Sequence, residues 1–459
     1  MRTERRNCKG FTTKDWESTY CGRTPRSKAC YERAVSVFPG GDTRTVTYFP
    51  PYPLFMKEGT GCGITDVDGN AYLDLVNNYT SLIHGHARQE VVDAILDQAP
   101  KGLGFASPLE LQVELARLLC LRIPSLKQVR FCNSGTEATL AAIRAAKAFT
   151  GRNKILKMEG GYHGSHDAAE ISVAPSLDEA GLPEAPTPRV ECAGLFRGIL
   201  TDVLVAPFNH IDAVRRMITT YGDDLAAIIV EPILGAGGTI PAEPDFLKFL
   251  RIATADCGAL LIFDEIISFR ISFGGAQESY CVQPDLTTLG KIIGGGLPVG
   301  AFGGRADVMA LFDPRRGQLS HSGTFNGNAL TMAAGIATLQ LLTRKEIARL
   351  NKLGNQLRDQ LRKSFSDIGL PGQVTGSGSL AAWHFTDSVV MDYRGAAAAN
   401  RSLHHPIHLS LLNKGMFTMP RGAICLSTAM GTEDVDLFAE SFQESLKEVA
   451  NLVETVSRV

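Results

Sequence analysis

The chain has 459 residues, 44% of them apolar and 20% charged, the balance of a globular protein with a sizeable core. At roughly 150 residues per domain, that length suits about three structural units, or one large unit with satellites. The 46 basic and 48 acidic residues leave a formal net charge of -2, so bulk electrostatics recruits neither nucleic acid nor an anionic membrane, and no apolar run of about 18 residues offers a bilayer span.

The first 30 residues hold eight Lys or Arg against Glu4, Asp15 and Glu17. They read as a flexible basic arm; the acids speak against a transit peptide. Residues 36–53, rich in Gly, Pro and Thr, read as an irregular crossing segment. Residues 61–75 alternate like a hairpin with Asp68-Gly69 at its turn. Helical periodicity covers 110–121, 137–149 and 245–257, and short strands are expected at 128–132, 155–157, 225–230 and 259–263. Strands alternating with helices predict an α/β fold with a mostly parallel sheet covered on both faces. After residue 328 come helices at 329–342 and 345–365, then glycine-separated strands near 378–385 and 422–426. The expected division is an arm and part of a small α/β domain at 1–75, the large sheet domain at 76–335, and the rest of the small domain at 336–459.

The ten cysteines lack a C-x-x-C pair and are irregularly spaced. They read as reduced thiols of a cytoplasmic protein, with no zinc-ligand pattern and no metal expected.

Three features carry chemistry. Asn133-Ser134-Gly135-Thr136-Glu137 lies between a strand and a helix, where free N–H groups, hydroxyls and a glycine make an anion cup. A plain helix cap is the alternative. Asp264 ends the apolar strand 259–263, and a carboxylate there faces a cation or serves a structural ion pair. Lys291 follows a short strand and opens a glycine-rich run; desolvated, it becomes a nucleophile able to form a Schiff base, and otherwise it is a solvated surface lysine. Together, cup, acid and lysine are the parts that hold pyridoxal 5'-phosphate: the cup for phosphate, the acid for the pyridine nitrogen, the lysine for the aldehyde carbon.

From about residue 38 to residue 436 the chain resembles the class III aminotransferases, fold type I pyridoxal-phosphate enzymes. Six ordered motifs carry the resemblance: Asn133-Ser134-Gly135-Thr136-Glu137-Ala138, Gly161-Tyr162-His163-Gly164, Val230-Glu231-Pro232, Phe263-Asp264-Glu265-Ile266, Thr288-Leu289-Gly290-Lys291 and Gly323-Thr324-Phe325-Asn326. The resemblance implies Lys291 as Schiff-base lysine and proton shuttle, Asp264 as partner of the pyridine nitrogen, and Ser134, Gly135 and Thr136 as phosphate cup. It places Tyr162 and Ile266 on the two faces of the ring and Glu231 behind them. It also implies a homodimer in which Thr324 reaches the partner's phosphate. His163 is read as structural.

Two subfamilies compete for the substrate. Phe269-Arg270, Gly274-Gly275-Ala276-Gln277 and residues 294–302 resemble glutamate-1-semialdehyde 2,1-aminomutase. Pro39-Gly40-Gly41-Asp42-Thr43-Arg44, residues 307–314 and 321–326, and Arg421-Gly422 resemble aminotransferases of β-amino acids such as β-phenylalanine. Arg44 and Arg421 are candidate carboxylate docks, since the guanidinium fork matches two carboxylate oxygens. Tyr79 lines the same pocket or sits in the core. The expectation is transfer from a β-amino-acid-like donor to an α-keto acid such as 2-oxoglutarate or pyruvate, with the mutase as alternative. A non-catalytic module of the same fold is the third class, but it could dispense with Lys291 and Asp264, and both are present. Residues 165–201 are longer than in the β-amino acid enzymes and are expected to cover the pocket.

Overall fold

In the computed structural model, which describes residues 13–457, the chain begins with two helices, Thr13–Arg23 and Pro25–Val35. Residues 13–30 are therefore not a flexible arm. Trp16 and Tyr20, four residues apart on one helical face, are buried against the C-terminal part of the chain. Trp16 Nε1 donates to Glu448 Oε2 at 3.0 Å and the Tyr20 hydroxyl to the Tyr52 carbonyl at 2.8 Å. Residues 1–12, with Glu4, lie outside the described residues.

A first sheet contains β1 (Met56–Thr60), β2 (Gly63–Asp66) and β3 (Ala71–Asp74). The turn between β2 and β3 uses Gly69 at φ 92°, a conformation glycine adopts without strain.

The central sheet holds β4 (Gln128–Cys132), β5 (Lys154–Met158), β6 (Val203–Ala206), β7 (Leu225–Val230), β8 (Leu260–Asp264), β9 (Leu286–Gly290) and β10 (Gly300–Gly304), in the order β4-β10-β9-β8-β7-β5-β6. Strands β7, β8 and β9 are buried at every position, which is why β7 and most of β8 read as apolar runs, while β9 buries Thr287 and Thr288 as well. All pairings are parallel except those of β10, which runs antiparallel to both β4 and β9. The ends of β4, β9 and β8, which carry the cup, the lysine and the acid, are thus not three adjacent strand ends. β10 (Gly-Ala-Phe-Gly-Gly) separates the first two, and its glycine content hid it. That content has a steric cause: a Cβ at Gly300 would run into the Ser134 carbonyl, so only glycine lets the following helix start close to the sheet.

Beyond the helix Ala329–Leu341, the helix Arg344–Ile368 leads to β11 (Gln373–Thr375) and β12 (Leu380–His384), which form a third sheet with β14 (Ala423–Cys425). β13 (Met416–Phe417) joins the first sheet parallel to β3. The two ends of the chain therefore share one sheet, and one apolar cluster runs from Trp16 through Phe49 to Phe442.

Candidate active site

Open α/β sheets bind ligands beyond the carboxyl ends of their strands. A cavity of about 370 Å³ lies there, lined by Gly135, Thr136, Tyr162, Asp264, Ile266 and Lys291, together with Glu231 and Arg44.

Asp264 ends β8 and is buried. Its Oδ1 accepts from the Ile266 amide and the Thr288 hydroxyl, both at 3.2 Å, and its Oδ2 lies 2.8 Å from His163 Nδ1. Burial pushes the His163 pKa down, so the ring is neutral and Nδ1 carries the proton donated to the carboxylate. His163 Nε2 has no hydrogen-bond partner, leaving Asp264 as the anchor of the ring. His163 is thus a structural histidine whose partner is the acid itself. Glu231 accepts from the Tyr162 amide at 2.8 Å and the Gly235 amide at 3.0 Å. Burial and the charge of Asp264 push its pKa up to about 8.

Lys291 follows β9 at φ 50°, a left-handed conformation that a non-glycine residue holds at a cost of about 1 kcal/mol or more. It is half-buried. Desolvation lowers its pKa, while Asp264 and Glu231 hold part of it up. The amine is thereby biased toward the free, nucleophilic form.

At the other end of the cavity the helix Gly135–Thr150 begins with Ser134 as its cap, its Oγ accepting from the Glu137 amide at 3.2 Å. The capping role and the cup coexist. The Ser134 hydroxyl serves the helix, and the amides of Gly135 and Thr136 lie in the first turn, where helix N–H groups lack internal partners and attract anions. Gly135 is required by its neighbour: a Cβ there would lie 2.5 Å from Ile266 Cδ1. The cradle fits pyridoxal phosphate on these grounds: an anion-binding helix start, a buried carboxylate at the opposite end, a lysine amine between them, and Tyr162 and Ile266 on the walls.

Of the substrate candidates, Arg44 lines this cavity, whereas Tyr79 and Arg421 lie beside it and not among its lining residues. The Arg44 guanidinium donates to Asn78 Oδ1 at 2.9 Å and lies 5.7 Å from the Tyr79 ring centre. Tyr79 is half-buried among Val76 and Met419 and donates to the Val46 carbonyl at 2.6 Å, so it is a core residue beside the cavity rather than part of its lining. Arg421 is close enough to Tyr79, Glu231 and Lys291 for mutual electrostatic influence. Its side chain remains solvent-accessible, so the desolvation that lowers its pKa belongs to the crowded cleft wall rather than to a closed core. Thr324 is exposed and does not line the cavity of its own chain. Its loop is tied in by Asn326, whose Oδ1 accepts from Asn133 Nδ2 at 2.8 Å.

Sequence reasoning missed the left-handed run Asn77–Thr80, with φ between 47° and 75°, which brings Asn78 to Arg44. It also missed Arg270 as a buried clamp, which donates to Thr80 O at 3.3 Å and Ser379 Oγ at 2.8 Å. Asn77-Asn78, two successive asparagines, a residue type that tolerates positive φ, was the available signal for the first.

Residues 46–445 match the family model for class-III aminotransferases. The chain belongs to that family. It is an aminotransferase dependent on pyridoxal 5'-phosphate. It is 41% identical to glutamate-1-semialdehyde 2,1-aminomutase of Methanothermobacter thermautotrophicus, over 93% of this chain and all of that one. It is 40% identical to the β-phenylalanine transaminase of Variovorax paradoxus, over 90% of this chain and 91% of that one. A solved ω-transaminase from Sphaerobacter thermophilus superposes with a TM-score of 0.89 at 45% identity, covering 92% of this chain and 97% of that one.

Proposed function

We propose that the enzyme moves an amino group from a β-amino-acid-like donor to an α-keto acid such as 2-oxoglutarate or pyruvate. One observation carries this reading: Arg44 lines the cavity that holds Lys291, Arg421 acts electrostatically on both Tyr79 and Lys291, and among the described residues neither arginine forms an ion pair with a carboxylate. Two guanidinium groups without a carboxylate partner offer separate docks for two carboxylate substrates. The 40% identity to a β-phenylalanine transaminase supports the donor class.

The bound cofactor supplies an electron sink. The chain's residues do the rest in this reading. Arg44 and Arg421 orient the carboxylates, Lys291 Nζ takes and returns the proton of the reacting carbon, and Asp264 keeps a proton on the pyridine nitrogen. Tyr162 and Ile266 hold the ring between them, and Gly135 and Thr136 hold the phosphate. The active unit is proposed to be a homodimer, with the exposed Thr324 completing the partner's phosphate site. A cytoplasmic location fits the described cysteines, which are all free.

The second reading is an aminomutase, favoured by the 41% identity to such an enzyme. A panel of α-, β- and ω-amino donors with 2-oxoglutarate decides. Amino transfer from β-amino acids supports the transferase. Conversion of glutamate 1-semialdehyde to 5-aminolevulinate without any acceptor, and no transfer from any donor, overturns it.

A further inference from the structure

Lys157 is fully buried in β5, and among the described residues no carboxylate forms an ion pair with it. Burying an ammonium among neutral groups is costly unless its donors are used. Lys157 Nζ donates to the Gly161 carbonyl at 2.8 Å and to the Ile171 carbonyl. The Gly161 carbonyl belongs to the peptide unit whose N–H is the Tyr162 amide. That N–H donates to Glu231 Oε1 at 2.8 Å. One peptide thus has a lysine amine donor on its oxygen and a carboxyl acceptor on its nitrogen, and its nitrogen belongs to Tyr162, next to His163.

We propose that Lys157 is a positioning residue for transamination: with Glu231 it clamps the Gly161–Tyr162 peptide and so sets the Tyr162 ring against the cofactor. The clamp rests on the reading of Tyr162 as a ring-face residue. The surrounding backbone leaves the loop few other ways to sit. Gly160 N donates to Ser172 O at 2.9 Å and Gly161 N to Met158 O at 3.0 Å. Gly160, at φ 78°, packs so tightly that a Cβ would lie 2.5 Å from Tyr393 Cβ. The second carbonyl on Lys157 ties the same loop to residues 165–201 through Ile171, which bridges to Val190. Burial pushes the Lys157 pKa down to about 7, and Glu231 is the leading charge holding it up, so the two ends of the clamp also sense each other.

A merely structural lysine, once replaced, changes melting temperature and leaves the bound chromophore alone. The test therefore reads the holoenzyme by visible circular dichroism, by cofactor loss on dialysis, and by kcat against KM. Lys157→Met keeps the side-chain length and removes the donor. It is expected to alter the visible band, to weaken cofactor binding about tenfold to a hundredfold, and to lower kcat more than it raises KM. Lys157→Arg is expected to restore part of each. Combining Lys157→Met with Glu231→Gln should cost less than the two separate losses added, because both act on one peptide. If Lys157→Met does not accumulate folded, Lys157→Gln is read in the same way. An unchanged band and unchanged cofactor affinity in Lys157→Met, or strict additivity with Glu231→Gln, overturns the clamp. Tyr162→Leu separates the layers. A silent Tyr162→Leu removes the ring-face reading, whereas an altered Tyr162→Leu beside a silent Lys157→Met removes the clamp alone.

Discussion

His163 Nδ1 lies 2.8 Å from Asp264 Oδ2, and both side chains are buried. A neutral imidazole donating to the carboxylate orients Asp264 from one side, while the Ile266 amide and the Thr288 hydroxyl hold its other oxygen, and it adds no competing positive charge.

Asp264→Asn is expected to lower turnover by on the order of 10² or more, since a charge interaction in a dry site is lost while the phosphate cup still holds the cofactor. His163→Phe should cost about tenfold and should add little on an Asp264→Asn background, because the histidine acts through the acid. Steady-state turnover at saturating substrates checks both. A near wild-type Asp264→Asn enzyme would contradict the role, and so would full additivity of the two substitutions.

The acid and the lysine were legible in the sequence as candidates because Asp264 ends a short apolar strand and Lys291 follows a short strand and opens a glycine-rich run, patterns that survive without knowledge of neighbours. The cup was legible as a strand-to-helix junction, although the sequence could not show that Ser134 spends its hydroxyl on the cap. His163 and Lys157 were illegible for a shared reason. Their roles depend on partners 101 and 4 residues away that become partners only through folding, and nothing local distinguishes a buried lysine at a strand end from a solvated one. β10 was missed because glycine-rich strands carry neither alternation nor branched side chains; its glycines answer to the approach of Ser134. The N-terminal arm was misread because a charge count does not register Trp16 and Tyr20 on one helical face.

Lys291 is expected to be the residue bonded to the cofactor. Borohydride reduction of the holoenzyme followed by peptide mapping should place the label there. Lys291→Ala should lower turnover by about 10² to 10⁴, the range for a lost acid–base group. Label on another lysine, Lys157 included, sinks the assignment.

Acid should destabilise the protein through buried histidines. Burial pushes His384 down to about 4 and His408 down to about 3, against about 6.5 in an unfolded chain. Both pKa values are depressed in the fold, so the unfolded chain takes up protons first as pH falls. The associated stability is present above pH about 6.5 and is lost on acidification toward pH about 4, by up to about 1.4 kcal/mol per pH unit for each histidine. Thermal melts from pH 7.5 to 4.5 should show this fall. His408→Phe should reduce its slope; an unchanged slope removes His408 from the account.

Arg44 and Arg421 should separate by half-reaction. A transferase releases its first product before the acceptor enters, so the kinetics should be ping-pong, and each substrate must find a carboxylate dock of its own. Arg44 is held by Asn78 at the mouth, on the N-terminal segment whose pattern points to the β-amino donor. Arg421 lies nearer the reacting amine, close enough to influence Lys291. Arg44→Ala is therefore expected to weaken mainly the donor half-reaction, and Arg421→Ala mainly the half-reaction with the α-keto acid. Each should lose about 1.5–3 kcal/mol in kcat/KM, the range for removing one side of a charged hydrogen-bonded pair. Single-turnover absorbance changes follow each half separately. Equal losses in both halves from either substitution would mean that the two arginines form one shared dock. A donor half-reaction indifferent to Arg44 would remove it from the substrate site.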